Sequence, residues 1–416
     1  MDHHLETQLR AAKVAARVLG RLSGDTRVTL VLDVARAVEV AKAAILDANS
    51  IDVAGAEAAG MSATLVDRLR LTESKLDGMI ADIKAVAELD DPIGKGTSMG
   101  VQPSGLGVDK VTIPLGVVGV VYESRPNVTT DITALCLRSG NAVVLRGGSE
   151  TLQTNRALAS AIRGALGDHR EAVQFIDDVS RERVCELICA DKYVDVIIPR
   201  GGAALGQLCA QQGTVPVIIG GAGVCHLYID KMVTADRVIP VVLNAKTQRT
   251  SVCNALDTIL IHKTCMPQLG LDVCRALSEA GVTLHAAASA SVALLTAGIP
   301  FVDGNDGDYE TEWLSMDCSV VVVDDIDGAI KHIAEYGSHS DGILSDDTDA
   351  IARFVQEVDS PAVFVNASTR FHDGGQFGLG AEVAVSTQKV HARGPLGLEA
   401  LTSYKWIAVG DYLARK

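Results

Sequence analysis

Between residues 117 and 220 the chain alternates short apolar runs with helix-length stretches. The runs are VVGVVYE (117–123), AVVLRG (142–147), VQFI (173–176), VDVIIP (194–199) and VPVIIG (215–220). The stretches between them, 129–138, 151–166, 180–190 and 202–212, carry apolar residues at helical spacing. Strands that return to one sheet in the same direction need a crossover, most often a helix. The pattern therefore predicts an α/β fold: a doubly wound parallel sheet with helices on both faces. Such sheets bind nucleotides at the carboxyl ends of their strands.

The rest of the chain fits around that unit. Residues 5–90 read as helices, with apolar spacing through LRAAKVAARVLGRL and VLDVARAVEVAKAAILDAN. A second α/β alternation starts near 230, where a helical stretch (234–248) leads into NAKTQRTSVCNALDTILIH, and runs to about 365. The Gly-rich, then strand-like stretch 94–116 could pair with the strand-like end SYKWIAVGDY as a small β extension.

Composition removes several classes of function. With 37 Lys and Arg against 52 Asp and Glu, the net charge is −15, so no nucleic-acid or anionic-membrane partner is expected. The longest apolar stretch, IPLGVVGVVYE (113–123), is far too short to span a bilayer. MDHHLETQLRAAKVAARVLG reads as an amphipathic helix of mixed charge and not as a leader. The nine cysteines are scattered without a CxxC pair, which argues against zinc, against a disulfide framework and for a reducing compartment. His332 and His339 lack a third ligand, so no metal is expected. The expected location is the cytoplasm.

Two glycine turns and one cysteine stand out. RGGSET (146–151) and PRGGAALG (199–206) each follow a predicted strand and open a helix, where backbone N–H groups suit a phosphate. Gly147, Gly201 and Gly202 supply the small residues, and Arg146 and Ser149 could hold a ribose phosphate. Neither turn is a GxGxxG fingerprint, and an ordinary strand-to-helix turn is the better account of each alone, whereas two such turns in one doubly wound sheet point towards a nucleotide. Cys253 lies between a polar, basic approach and an apolar exit. Lys246 and Arg249 just upstream could lower its pKa, and neighbouring N–H groups could hold an oxyanion. A buried cysteine entering a strand is the competing account, and local context leaves both open.

The order of these pieces resembles the aldehyde dehydrogenase superfamily: PLGVVGVV, then RSGNAVVLRGGSET, then a Gly-Gly segment, then HLYIDKMVTADRVIPVVLNAKTQRTSVCNALDTILIH. Within it, YESRPNVTTD (122–131), AIKHIAEYGSHSDGI (329–343), VNASTRFHDGGQFGLGAEVAVST (365–387) and HARGPLGLEALTSYKW (391–406) resemble the gamma-glutamyl phosphate reductase family. No amino-kinase region precedes them, so the stand-alone reductase is the expected form. The resemblance implies NADPH-dependent reduction of L-glutamyl 5-phosphate to L-glutamate 5-semialdehyde and phosphate through a cysteine thioester, the second step of proline biosynthesis from glutamate. It singles out Cys253 as nucleophile and Asn127 as oxyanion donor, with Arg125 the rival for that role. It implies cofactor contacts from Arg146, Gly147, Ser149, Gly201, Gly202 and Glu312, and substrate contacts from Arg125, Arg249 and Arg370. Oxidising relatives carry a general-base Glu where Ile218 stands here, which suits an enzyme that must not hydrolyse its acyl intermediate. Arg146 replaces the usual Lys and suits the extra phosphate of NADPH.

The domain organisation this implies is a cofactor-binding domain over 1–103 and 117–228 and a catalytic domain over 229–365. A β oligomerisation extension would comprise 104–116 and 385–416, and 366–384 would return to the active site. A homo-oligomer, dimer or tetramer, is expected, and contact with a glutamate 5-kinase is a further implied partner. The alternatives are another acylating dehydrogenase that takes coenzyme A thioesters, or a silent binding protein of the same fold.

Overall fold

The computed structural model describes residues 1–220 and 223–415. The chain divides into two units, Met1–Gly220 with Gly378–Ala384 and Pro395–Lys416, and Gly221–Phe377 with Val385–Gly394.

The first unit opens with five helices, His3–Leu19, Gly24–Val40, Lys42–Ala58, Ala63–Leu69 and Glu73–Glu88. Short polar side chains set three of the starts. Asp2 accepts from the N–H groups of His4 and Leu5, Ser23 from that of Thr26, and Thr72 from that of Lys75. Leu5, Leu9, Ala12 and Ala16 make one buried stripe on the first helix and join the core of the unit's parallel sheet. Strands β1 (Gly96–Val101) and β2 (Gly107–Pro114) pair antiparallel, and the C-terminal strand Thr402–Val409 pairs antiparallel with all of β2. The extension thus begins at Gly96, not at 104, because β1 closes back on β2.

Strands β3 (Val117–Tyr122), β4 (Ala142–Gly147), β5 (Val173–Phe175) and β6 (Val196–Arg200) form a parallel sheet in the order β5-β4-β3-β6. Every residue of β3 and β4 is buried, which is why those strands read as unbroken apolar runs and not as alternation. The fifth run, VPVIIG, falls short of a strand. It makes isolated bridges in place of a ladder, Val217 pairing parallel with Ile197, since Pro216 has no N–H to continue the ladder.

The second unit holds a seven-stranded parallel sheet. Its strands are β7 (Val224–Ile229), β8 (Thr258–His262), β9 (Thr283–Ala286), β10 (Val302–Asp303), β11 (Asp317–Val323), β12 (Gly337–Leu344) and β13 (Ala362–Val365), in the order β10-β9-β11-β8-β7-β12-β13. The boundary falls after Gly220 and not after 228, because β7 sits between β8 and β12. Its core joins Leu227 and Ile229 of β7, Ile259 and Ile261 of β8, and Val242 and Ala245 of the crossover helix Ala235–Thr247. Among the described residues, no helix is long and apolar enough to cross a membrane.

Candidate active site

In the second unit, the turn between helix Ala235–Thr247 and β8 carries Cys253, which is half-buried. Hydrogen bonds from three directions fix this turn. The buried Cys225 thiol of β7 donates to the Cys253 carbonyl at 3.1 Å. The Thr369 hydroxyl donates to the Asn254 carbonyl at 2.8 Å, and the Asn254 amide donates to the His372 carbonyl at 3.0 Å. The Leu256 N–H donates to the Ala245 carbonyl at 3.0 Å. Segment 369–372 therefore packs against the turn that carries Cys253.

Burial raises six of the other eight thiols. It pushes the thiols of Cys274 and Cys318 up to about 12 and that of Cys209 up to about 11, and it raises Cys136, Cys225 and Cys265 as well. Arg370 lies in electrostatic range of Cys253, and Arg249 in range of Arg370. The half-buried Arg370 donates from Nε to Gln248 Oε1 at 3.1 Å. Burial first, and then the exposed Arg249, holds its pKa below the ordinary guanidinium value, and the Cys253 thiol is among the charges it senses. A partly exposed thiol with a guanidinium group in electrostatic range is suited to nucleophilic attack on an anionic acyl donor. Lys246 plays a different part from the one its position suggested. It is fully buried, and Nζ donates to the Leu256 carbonyl at 2.8 Å.

Glu312 is half-buried in the segment before β11. Its neighbour Trp313 is held at three points. The backbone N–H donates to Asp257 Oδ1 at 3.0 Å, the indole N–H donates to Ser319 Oγ at 3.3 Å, and the ring lies 4.1 Å from that of His285. Asp257, which holds Trp313 and Cys225 by their backbone N–H groups, did not stand out in the sequence. Its second oxygen, Oδ2, accepts the Cys225 N–H at 3.0 Å, and burial pushes its carboxyl up to about 6 against the opposing pull of Lys246. The only signal in the sequence was an acidic residue at the mouth of an apolar strand, four residues after the cysteine.

In the first unit, Asn127 is exposed at the start of helix Asn127–Arg138, and its amide donates to Asp131 Oδ2 at 2.8 Å. The Asp131 carboxyl is pushed up to about 7, chiefly by desolvation. Ser124, with φ of 47°, turns the chain between β3 and this helix and donates its N–H and hydroxyl to Glu150. Arg125 is half-buried in the same turn.

The two glycine turns differ in a way that their sequences do not show. At the first, helix Leu152–Ala165 already has a carboxylate at its N-terminus. Asp52 accepts the N–H groups of Gln153 at 3.2 Å and Thr154 at 2.8 Å. Gly147 is small for packing: a Cβ there would fall 2.2 Å from the Asn155 amide. Ser149 is exposed. Arg146 is buried and spends its donors on the carbonyls of Gly147, Val179 and Ser180, leaving Nε without a partner. At the second turn, no side chain caps helix Ala203–Gln212, and a Cβ on Gly202 would meet nothing within 4 Å. Gly201 is tight, since its Cβ would lie 2.4 Å from Glu123 Oε2, which accepts the Gly202 N–H at 3.1 Å. The helix at the second turn thus lacks the side-chain cap that Asp52 supplies at the first. Among the described residues, no group of three or more His, Cys, Asp or Glu side chains could hold a metal ion.

Comparison with known proteins decides the family. The chain is 50% identical over 415 residues to a gamma-glutamyl phosphate reductase of Escherichia coli O6:H1, covering 99% of this chain and 100% of that protein. It belongs to the gamma-glutamyl phosphate reductase family. The crystal structure of gamma-glutamyl phosphate reductase from Thermotoga maritima matches with a TM-score of 0.94 and 38% identity over 99% of this chain and 100% of that one. An acetylating aldehyde dehydrogenase of Geobacillus thermoglucosidasius shares the fold, with a TM-score of 0.71 at 16% identity over 99% and 98% of the two chains. No protein-family model matches the chain.

Proposed function

We propose that the chain reduces L-glutamyl 5-phosphate to L-glutamate 5-semialdehyde and phosphate with NADPH, the second step of proline biosynthesis from glutamate. The observation that carries this reading is the full-length identity with gamma-glutamyl phosphate reductases. The fixed, half-exposed Cys253 beside Arg370 supports it. The Cys253 thiolate attacks the acyl carbon, the carbon–oxygen bond to phosphate breaks, and a thioester forms. Arg249 and Arg370 offset the charge of the departing phosphate, and Asn127 and the Cys253 N–H donate to the acyl oxygen, with Arg125 as the rival to Asn127. NADPH supplies the hydride when bound. Cys253 then leaves as thiolate and the aldehyde is released. Ile218 offers no base to a competing water.

For the cofactor, the open turn at Gly201 and Gly202 would take the phosphates, and Glu312 the nicotinamide ribose. Arg146, with Gly147 and Ser149, would lie on the side of the extra ribose phosphate, where the unpartnered Nε is the donor left to read it. The nine free cysteines fit a cytoplasmic location. The exposed edges of the three-stranded sheet fit a homo-oligomer, and a glutamate 5-kinase is the partner that family resemblance suggests.

The test is turnover. Purified protein should oxidise NADPH when given L-glutamyl 5-phosphate generated by a kinase in the same cuvette, and should reduce NADP when given glutamate semialdehyde and phosphate. Turnover with acyl-CoA donors but none with the acyl phosphate would refute the reading.

A further inference from the structure

The nucleophile turn and the segment carrying Glu312 are joined by one carboxylate. Asp257 is 1% exposed, and its two oxygens accept backbone N–H groups from two separate segments. Oδ1 takes Trp313 N–H and Oδ2 takes Cys225 N–H, each at 3.0 Å. The Cys225 thiol continues the chain to the Cys253 carbonyl at 3.1 Å. The Asp257 backbone adds two more ties: its N–H donates to the Cys225 carbonyl at 3.0 Å, and its carbonyl accepts the Ser319 N–H at 2.8 Å. A continuous path of hydrogen bonds therefore runs from Trp313 through Asp257 and Cys225 to Cys253, all of it within the second unit.

Only a carboxylate can do this. It is an acceptor at both oxygens, whereas the isosteric amide of Asn has one acceptor and one donor. An amide at this position would set its own N–H₂ against one of the two backbone N–H groups. In a buried site that leaves a donor unmatched, and the segment that supplies it must move.

We propose that Asp257 is a positioning residue that couples the cofactor grip at Glu312 to the nucleophile turn at Cys253. The proposal rests on the roles given above to Cys253 and Glu312. It assigns Asp257 no contact with substrate or cofactor. A purely structural Asp257 would lower thermal stability and leave the balance between the two substrates untouched. A coupling Asp257 changes that balance, because displacement of Trp313 moves Glu312.

The experiment compares Asp257→Asn, Glu312→Gln and the double variant in steady state, with a deuterium isotope effect measured on NADPH labelled at the transferred position. The expected result is a rise of about tenfold in KM for NADPH in Asp257→Asn, with KM for L-glutamyl 5-phosphate within about twofold of the parent. The isotope effect should grow as hydride transfer becomes slower, and the double variant should be little worse than either single one, since both act on one grip. If Glu312→Gln raises KM for NADPH while Asp257→Asn changes only the melting temperature, the coupling is wrong and the reading of Glu312 stands. If neither variant moves KM for NADPH, the reading of Glu312 falls and the coupling falls with it. Should Asp257→Asn fail to fold, Cys225→Ala cuts the last link of the path. Saturating NADP should alter the alkylation rate of Cys253 in the parent and no longer do so in Cys225→Ala. The same cofactor effect in both proteins would overturn the proposal.

Discussion

Cys253 was legible as a candidate from its neighbours, but the burial of most of the other thiols was not. Burial that raises six of the other thiols is a property of the packed sheets, and no local pattern announces it. The same holds for its activators. Lys246 and Arg249 were both in view upstream, yet Lys246 turns into the core, and the half-buried cation in electrostatic range is Arg370, over a hundred residues later. Cys253→Ala should abolish turnover and leave NADPH binding by calorimetry unchanged, because the thiol makes the covalent bond and no cofactor contact. Arg370→Ala should slow iodoacetamide alkylation of Cys253 and raise KM for the acyl phosphate, about tenfold for the loss of one charge-assisted contact. An unchanged alkylation rate would remove Arg370 from the site. Asp257 carries a prediction about pH. Its carboxyl titrates near 6 when folded against 3.8 as the ordinary value, so between those values the unfolded chain has released a proton that the folded chain keeps. Its contribution to stability is greatest below pH 4, falls as pH rises to about 6 and is level above that, by roughly 3 kcal/mol in all. Asp257→Asn lacks this term. Its deficit in melting temperature relative to the parent should therefore be larger at pH 4 than at pH 7, and a deficit that grows with pH would contradict the sign.

At the scale of elements, strands and helices were readable wherever period and length agreed. The four strands of the first parallel sheet fall on the first four apolar runs, β6 running one residue past its own, because strands buried on both faces leave apolar runs with no alternation. VPVIIG was misread as a fifth because an apolar run does not reveal that a proline will interrupt its ladder. The two glycine turns looked alike for a related reason. Whether a helix N-terminus is open depends on what caps it, and the cap at the first comes from Asp52, about a hundred residues away in sequence. The two turns should therefore respond oppositely. Asp52→Ala removes the cap of helix Leu152–Ala165 and should cost about 1–2 kcal/mol of stability, with NADPH affinity within twofold of the parent. Gly202→Glu faces open space at an ordinary φ of −68° and should leave the melting temperature nearly unchanged. Its carboxylate would stand where the cofactor phosphates are proposed to lie, so NADPH affinity should fall at least tenfold. Calorimetry on both variants checks the pair, and loss of affinity in Asp52→Ala alone would move the phosphate site to the first turn.

For the whole molecule, the sequence suggested a β extension and the structure shows why it has to be explained. In the sheet of β1, β2 and Thr402–Val409, the last strand pairs with β2 along one edge, and its last six residues are exposed. Tyr404 is 52% exposed, Trp406 55% and Val409 63%, and on β1 Met99 and Val101 are exposed as well. Apolar side chains in that density along strands with an unpaired edge are a template for pairing and a poor surface for a lone chain in water. A monomeric protein would be expected to blunt such an edge with charge or proline, and the last strand carries only Lys405. The protein should therefore elute as a dimer or larger in multi-angle light scattering. Trp406→Glu combined with Val409→Glu replaces the apolar contact with repelling carboxylates and should shift the mass to that of one chain. Because neither residue lies in the parallel sheets, the double variant should keep a melting transition close to the parent's, apart from what association itself contributes. A parent that is already monomeric at micromolar concentration would sink the proposal. So would a double variant that keeps its oligomeric mass, since the association would then run through another face.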